Sequence, residues 1–524
     1  MDAFKIIANA RVITCDPENR AGRYNLLIRD DRIVEISDQA DLFTSLHPSA
    51  VVVDASNKLI VPGFVNAHFH SESVLLRART DGLHCSLWKS DLRTQECIKA
   101  LLDPENDADV RAVYLMSHFS HLKSGTTCVG EFGLPFGEET FGHVLQAMER
   151  TEVKNVVALQ NWDQFVKASD IPRRKHQFLV SIGKTEDFTV YSFENLIRAA
   201  KELKVPLISH IGEQRGETDF VKRNFQKGIV AVLQDYSVVG PENVFVHLNH
   251  LGREETQELG EAGASAVLCV RSAAYKRTGY PALRNLAAQR IRLAIGTDWG
   301  NVDMLEEMKF LNQLHLLISG IPPFSALQLL RMATINGAHA LGLSSDTGSI
   351  EAGKKADLAF FSLEDMRLPI IAEHADAEAL ASLLVNHLSS HEISDVMIDG
   401  EFYVARGQVM TMAEEEILEG FRSAHAKYYG DEAPKAPLPA KSRDEPSRQT
   451  PKILAFAPAA RTSEPEEGFE SGFEADEKSP SVLEMKSSNI NLQPPAKPPS
   501  RKTAPEPQDP PKKSWLTFGD DEDF

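Results

Sequence analysis

Cysteine is scarce in this 524-residue chain, and none of its five cysteines stands in a CxxC pair. Cys15, Cys85, Cys97, Cys128 and Cys269 are odd in number and scattered, which fits reduced thiols in a cytosol rather than a disulfide framework. Long apolar runs are missing too: none approaches the ~18 residues of a membrane-spanning helix. The N-terminal Met1-Asp-Ala-Phe-Lys5 lacks a basic segment leading into an apolar core, so no signal peptide is expected and the expected location is cytoplasmic. Positive charge is in deficit, 56 Lys and Arg against 75 Asp and Glu, for a net charge of −19. That balance argues against nucleic acid or an anionic membrane as the main partner. Hydrophobic residues make up 42%, enough for a large core. The length accommodates a barrel of roughly 250–300 residues with a smaller domain beside it.

The most informative stretch that is present is Leu59-Ile-Val-Pro-Gly-Phe-Val-Asn-Ala67 closed by His68-Phe69-His70. The run is apolar and β-branched and reads as a buried strand punctuated by Pro62-Gly63. Residues i and i+2 of a strand share a face, so both imidazoles leave one side within reach of a single metal. Paired histidines on a surface strand are ordinary, and the bracket alone is only suggestive. Three further strand ends add to it. Pro206-Leu-Ile-Ser-His210 is followed by Ile211-Gly212-Glu213, Asn243-Val-Phe-Val-His247 repeats the pattern, and Arg292-Leu-Ala-Ile-Gly-Thr-Asp298 ends in a carboxylate. Singly, His210 or His247 reads as a core histidine bonded to a carbonyl, and Asp298 as a turn or capping acid. Together, strands that are apolar throughout and ionisable only at their exits are what a parallel barrel enzyme requires.

These residues resemble the amidohydrolase superfamily, in the branch of chlorohydrolases, cytosine and guanine deaminases and methylthioadenosine/adenosylhomocysteine deaminases. The matching stretches are Val61–His70, His210-Ile-Gly-Glu213, His247–Leu251, Gly296-Thr-Asp298 with Asp303–Met308, Ala333–Gly342 and Gly348–Leu358, spread over residues 3 to 425. The resemblance implies a TIM-like (β/α)8 barrel inserted in a small β-sandwich. It implies that His68, His70, His210 and Asp298 ligate one divalent metal, most often zinc and sometimes iron, which lowers the pKa of a water toward neutrality. It implies that His247 orients or deprotonates that water, that Glu213 shuttles the proton to a ring nitrogen and then to departing ammonia, and that Asp298 bridges metal and water. The expected activity is hydrolytic deamination of a heterocycle (purine, pyrimidine or triazine-like), by a homo-oligomer. Other C–N or C–Cl hydrolysis is a close variant.

A two-metal version would need a bridge after the fourth strand, where Lys184 stands before Thr185-Glu186-Asp187. The intact His210-x-x-Glu213 pair favours one metal. Two departures bear on substrate. Lys184 and Thr185 replace the Pro-His pair of many purine deaminases, and Arg271–Tyr280 replaces a Pro-x-Ser-Asn stretch after the seventh strand, Ala266–Val270. Arg271, Lys276, Arg277, Tyr275 and Tyr280 either grip a substrate or form a solvated face. Trp299 either stacks on a planar ring or packs the barrel top.

Composition sets the expected domains. Residues 1–58 supply the first part of the sandwich, 59–344 the barrel, and 345–430 the second part with a C-terminal helix. Barrel helices are suggested at Ala108–Lys123, Phe193–Leu203 and Pro323–Leu341. Residues 431–524 hold 16 of the 28 prolines and read as a disordered tail. Its end, Trp515-Leu-Thr-Phe-Gly-Asp-Asp-Glu-Asp-Phe524, mixes aromatics with acids and is either a docking motif for a protein partner or a solubilising terminus. A scaffold acting through this tail is the second functional class.

Overall fold

The computed structural model describes residues 4–39, 41–80, 83–88, 91–171, 176–184, 190–364 and 375–429. The expected disorder of residues 431–524, with the terminal aromatic-acidic motif, lies outside the described residues, as do Thr185, Glu186 and Asp187.

Among the described residues seventeen strands fall into two sheets. The chain begins with β1 (Phe4–Ile13), β2 (Ala21–Arg29), β3 (Arg32–Ser37), β4 (Val51–Asp54) and β5 (Lys58–Pro62). It ends with β14 (Leu358–Ser362), β15 (Ile393–Ile398), β16 (Glu401–Ala405) and β17 (Gln408–Val409). These nine form one mixed sheet in the order β17-β16-β15-β14-β5-β1-β2-β3, with β4 alongside β1. Both chain ends thus build the smaller domain, as expected. Between them β6 (Phe64–Phe69), β7 (Thr126–Glu131), β8 (Lys154–Leu159), β9 (His176–Lys184), β10 (Leu207–Ile211), β11 (Val244–His247), β12 (Ser265–Leu268) and β13 (Arg292–Ile295) run parallel in sequence order. Helices follow these strands, including Asp107–Lys123 and Val190–Leu203, giving the expected (β/α)8 barrel.

The apolar run at 59–67 is not one strand. It divides at Gly63 into β5 of the small sheet and β6 of the barrel. Gly63 is required by close approach: a Cβ there would lie 2.2 Å from Thr127 Oγ1. The helix expected over Pro323–Leu341 is also two, Ala326–Met332 and Ile335–Ala340. Thr334 breaks them, with a non-helical backbone and its hydroxyl turned back onto the Leu330 carbonyl at 2.7 Å.

Every barrel strand contributes to one interior cluster: Val65, Ala67, Cys128, Val156, Ala158, Leu179, Ile208, Val244, Val246, Val267 and Ala294. A filled barrel leaves its chemistry to the strand exits. A clasp holds the two domains together. Lys154, at the start of β8, reaches both Asp357 at the edge of β14 and Asp399 in the turn after β15 (2.9 Å to Asp399). The block Gly348–Leu358 also places Lys355 on Asp31.

Barrel closure occurs between the first and last barrel strands, β6 and β13, around one isolated bridge, Phe69 with Asp298. Asp298 N donates to His68 O (2.9 Å) and His70 N to Asp298 O (3.1 Å). Asn66 reinforces this seam: its Oδ1 accepts the Thr297 N–H at 3.0 Å and its Nδ2 donates to Thr297 Oγ1 at 2.7 Å. Gly296 fits there because a Cβ would lie 2.8 Å from the His68 backbone N.

Candidate active site

All six expected residues meet at the C-terminal end of the barrel, and five of them are buried. His70 is the most open, its side chain 16% exposed. The β6–β7 register slips between Asn66 and Phe69, which re-phases the alternation before His68 and His70. His210 follows Ile208 on the interior face of β10, and Asp298 lies just past β13. Asp298 (φ 55°) and His247 (φ 81°) both take left-handed backbone, which a side chain rarely adopts. Such strain costs on the order of 1–3 kcal/mol each and collects at functional sites.

The donor geometry fits a metal ion. His68 Nε2 and His70 Nε2 lie 3.5 and 3.4 Å from Asp298 Oδ1, and His210 Nε2 lies 3.1 Å from His68 Nε2. Four ligands at zinc-like bond lengths of ~2.0–2.1 Å stand ~3.4 Å from one another in a tetrahedron. Asp298 Oδ1 is buried and accepts no hydrogen bond among the described residues, so it aims at the centre of this group without a partner. Burial pushes the His68 imidazole down to about 3, keeping it in the neutral form that binds metal. His70 is raised: burial opposes its charge, but the Glu72 carboxylate, 3.3 Å from Nδ1, prevails. A carboxylate on the far nitrogen is the usual way a ligand histidine is oriented.

Glu213 stands beside the group, its Oε1 3.8 Å from His247 Nε2. Its backbone is fixed by Glu217 Oε2, which accepts its N–H at 2.9 Å, and by Asn249 Nδ2, which donates to its carbonyl at 3.2 Å. Over the mouth Trp299 packs on Trp88 (4.8 Å between centroids) and near His70 (6.0 Å), with its indole N–H donating to Thr80 Oγ1 at 3.1 Å.

Of the cations and tyrosines after the seventh strand, Tyr275 reaches the mouth, its hydroxyl 3.1 Å from Thr80 Oγ1 and its ring 6.4 Å from Trp88, and Lys276 enters the donor group. It sits at the end of the short helix Val270–Lys276, buried, with Nζ 2.5 Å from Asp298 Oδ2 and 3.1 Å from Glu213 Oε1. Ser272, one turn earlier, donates to the same Asp298 oxygen at 2.6 Å. Arg277 and Tyr280 are exposed, and Arg271 faces Glu306. Lys276 keeps its charge, since Asp298 and Glu213 outweigh the burial that opposes it, and it draws Asp298 well below the usual carboxylate range against that residue's own burial. The i, i+4 spacing of Ser272 and Lys276 was the available signal, hidden because a seven-residue helix leaves little periodicity. Glu131 was missed as well. It ends β7 as the candidate ligands end their strands, and it accepts the Ser71 amide (3.1 Å) and hydroxyl (2.5 Å) just after His70. Burial, with Glu72 nearby, pushes its carboxyl up to about 7.

A model of the Amidohydrolase family matches residues 59–403. The chain belongs to that family. Among curated relatives, this amidohydrolase is 29% identical to a 5-methylthioadenosine/S-adenosylhomocysteine deaminase of Moorella thermoacetica, over 76% of this chain and 93% of that protein. It is 26% identical to a 5'-deoxyadenosine deaminase of Methanosarcina acetivorans, over 80% and 97%. Among solved structures, an adenosine deaminase from Xanthomonas campestris with bound zinc superposes with a TM-score of 0.71 at 22% identity, covering 81% of this chain and 98% of that one. This last likeness shows the amidohydrolase fold. Among the described residues no helix is long and apolar enough to cross a membrane, and no disulfide joins the five cysteines.

Proposed function

We propose that this amidohydrolase is a mononuclear metal-dependent deaminase that removes the exocyclic amine of an adenine-type heterocycle by hydrolysis. The observation that carries the reading is the placement of Glu213 and His247, two buried acid–base groups 3.8 Å apart, against the His68/His70/His210/Asp298 donor group. A divalent metal held there, zinc or iron by donor type, supplies a water of lowered pKa. His247 orients that water. Glu213 takes one proton of that water and gives it to the ring nitrogen next to the reacting carbon; the second proton, left on the added hydroxyl, then passes to the leaving amine as the carbonyl forms and ammonia departs. Asp298 holds the water's remaining proton from the other side, and Trp299 with Trp88 offers an aromatic wall for a planar ring. Relatives that carry adenosine-type names support the ring class.

The test is ammonia release by the zinc-loaded full chain from 5'-methylthioadenosine, S-adenosylhomocysteine, 5'-deoxyadenosine, guanine, cytosine and s-triazines. Glu213→Gln is the control, and removing a general acid–base costs ~10²–10⁴-fold in rate. Ammonia from an adenine compound, lost in the control, supports the reading. Ammonia from none, in protein holding one equivalent of metal, refutes it and leaves another C–N or C–Cl hydrolysis.

The same reading takes the protein to be cytosolic and a homo-oligomer, testable by fractionation and light scattering. It also takes Trp515–Phe524 to dock a protein partner. Deleting those ten residues is expected to leave turnover intact and to remove a co-purifying protein, and unchanged partners would defeat this part.

A further inference from the structure

Among the described residues two donor groups, not one, meet at Asp298. The first is His68, His70 and Asp298. The second is Glu213, His247 and Asp298, all buried, whose ligand atoms lie within 4.8 Å of one another. Donors on both sides of a shared carboxylate are the layout that two-metal hydrolases use, with ions ~3.5–4 Å apart. In this chain the second group already contains a cation. Lys276 Nζ touches the two carboxylates of that group, Glu213 Oε1 at 3.1 Å and Asp298 Oδ2 at 2.5 Å. Its ammonium is roofed by the rings of Trp88 and Trp299, 5.8 and 5.9 Å from their centroids.

We propose that Lys276 fills the second cation position of the site and thereby limits it to one metal ion. The inference rests on the reading of His68, His70, His210 and Asp298 as the first metal site. The charges support it. Glu213 and Asp298 carry two negative charges, which one divalent ion and one ammonium already exceed by one. A second divalent ion would raise the buried excess to three, a burden that closely packed charges away from water do not bear. It would also have to push the ammonium toward two indoles that close off its retreat. Lys276 further bonds Asp298 through Oδ2, leaving Oδ1 turned to the first group. Lys276 is thus a positioning residue that acts through both carboxylates. Substitution by a neutral side chain of similar length vacates a cation position between two carboxylates and an imidazole, a donor set suited to a divalent ion.

Metal content of the full chain, stripped with chelator, reloaded with zinc and desalted, tests this directly. Wild type is expected to retain one equivalent, Lys276→Met two, Lys276→Arg one, and the double variant Lys276→Met/Glu213→Gln one. Cobalt in place of zinc gives an independent readout, with spin coupling between two ions in Lys276→Met and none in wild type. Two equivalents in wild type, or one in a Lys276→Met protein that melts cooperatively, overturns the inference. If Lys276→Met folds only when grown with zinc, the count is made on that material and is read the same way. A wild type that holds no metal instead refutes the first-site assignment, so the two failures are told apart.

Discussion

Glu307 ties the electrostatics around the site to a measurable pH dependence. It lies on the helix Met304–Ser319, fully buried, with Oε1 accepting the Arg271 N–H at 2.9 Å. Its Oε2 has no partner among the described residues. Burial pushes its carboxyl from an ordinary 4.5 up to about 8, against the pull of the Arg271 amide and guanidinium. Between those two values the folded chain holds a proton that the unfolded chain has lost. Unfolding then releases a proton, so Glu307 makes stability fall as pH rises through that window, and it adds no slope below or above it. From pH 4.5 to pH 7, at ~1.4 kcal/mol per pH unit, the loss approaches ~3 kcal/mol. Glu307→Gln keeps an acceptor for the Arg271 amide, carries no charge and removes the slope. For a folded unit whose last described residue is Tyr429, an unfolding entropy of ~2.1 cal/mol/K per residue converts ~3 kcal/mol into ~3 °C. Thermal melts of zinc-loaded wild type and variant are therefore expected to separate by about that much at pH 7–8, with the variant higher, and to converge near pH 5. A gap that stays constant with pH, or a variant that melts lower at pH 8, refutes the assignment of a proton to buried Glu307.

Lys154→Met is expected to destabilise the protein by ~2–3 kcal/mol, below the ~3–5 of a fully buried pair because Lys154 and Asp399 are partly exposed. The loss should shrink when Asp357→Asn is added, and a double variant no more stable than the single would refute the clasp. Gly296→Ala places a Cβ 2.8 Å from the His68 backbone, so the purified variant should hold well under one equivalent of zinc while retaining its helical circular dichroism. Full zinc content in that variant would show that the seam yields without moving the ligands.

The barrel and the residues gathered at its exit were legible because their signals are local. An apolar strand that ends in His210 or Asp298 can be recognised without its partners, and the order of such strands carries the fold. The run at 59–67 misled because two adjacent buried strands look like one when only Gly63 parts them. Pro62-Gly63 marked the place but not the change of sheet. Lys276 was hidden for another reason. Whether a lysine in a cationic stretch is solvated or buried depends on what stands opposite, and Glu213 and Asp298 are 63 and 22 residues away in the chain. The block Gly348–Leu358 stood out in the sequence without a physical reason. The structure supplies one, since Lys355 binds Asp31 within the small domain and Asp357 binds Lys154 across to the barrel.

The seam between β6 and β13 has a consequence for the order of events in the protein's life. Its partners are remote: Asn66 and Thr297, which meet there, are 231 residues apart. Contacts of such separation form late, after the loops between them have been ordered. His68 and His70, at the end of the first barrel strand, therefore wait for almost the whole barrel before Asp298 arrives. A metal held at this place would work as a latch on a finished hoop and not as a nucleus for its folding. Ions can then be exchanged by local opening of one joint while the rest of the barrel stays closed.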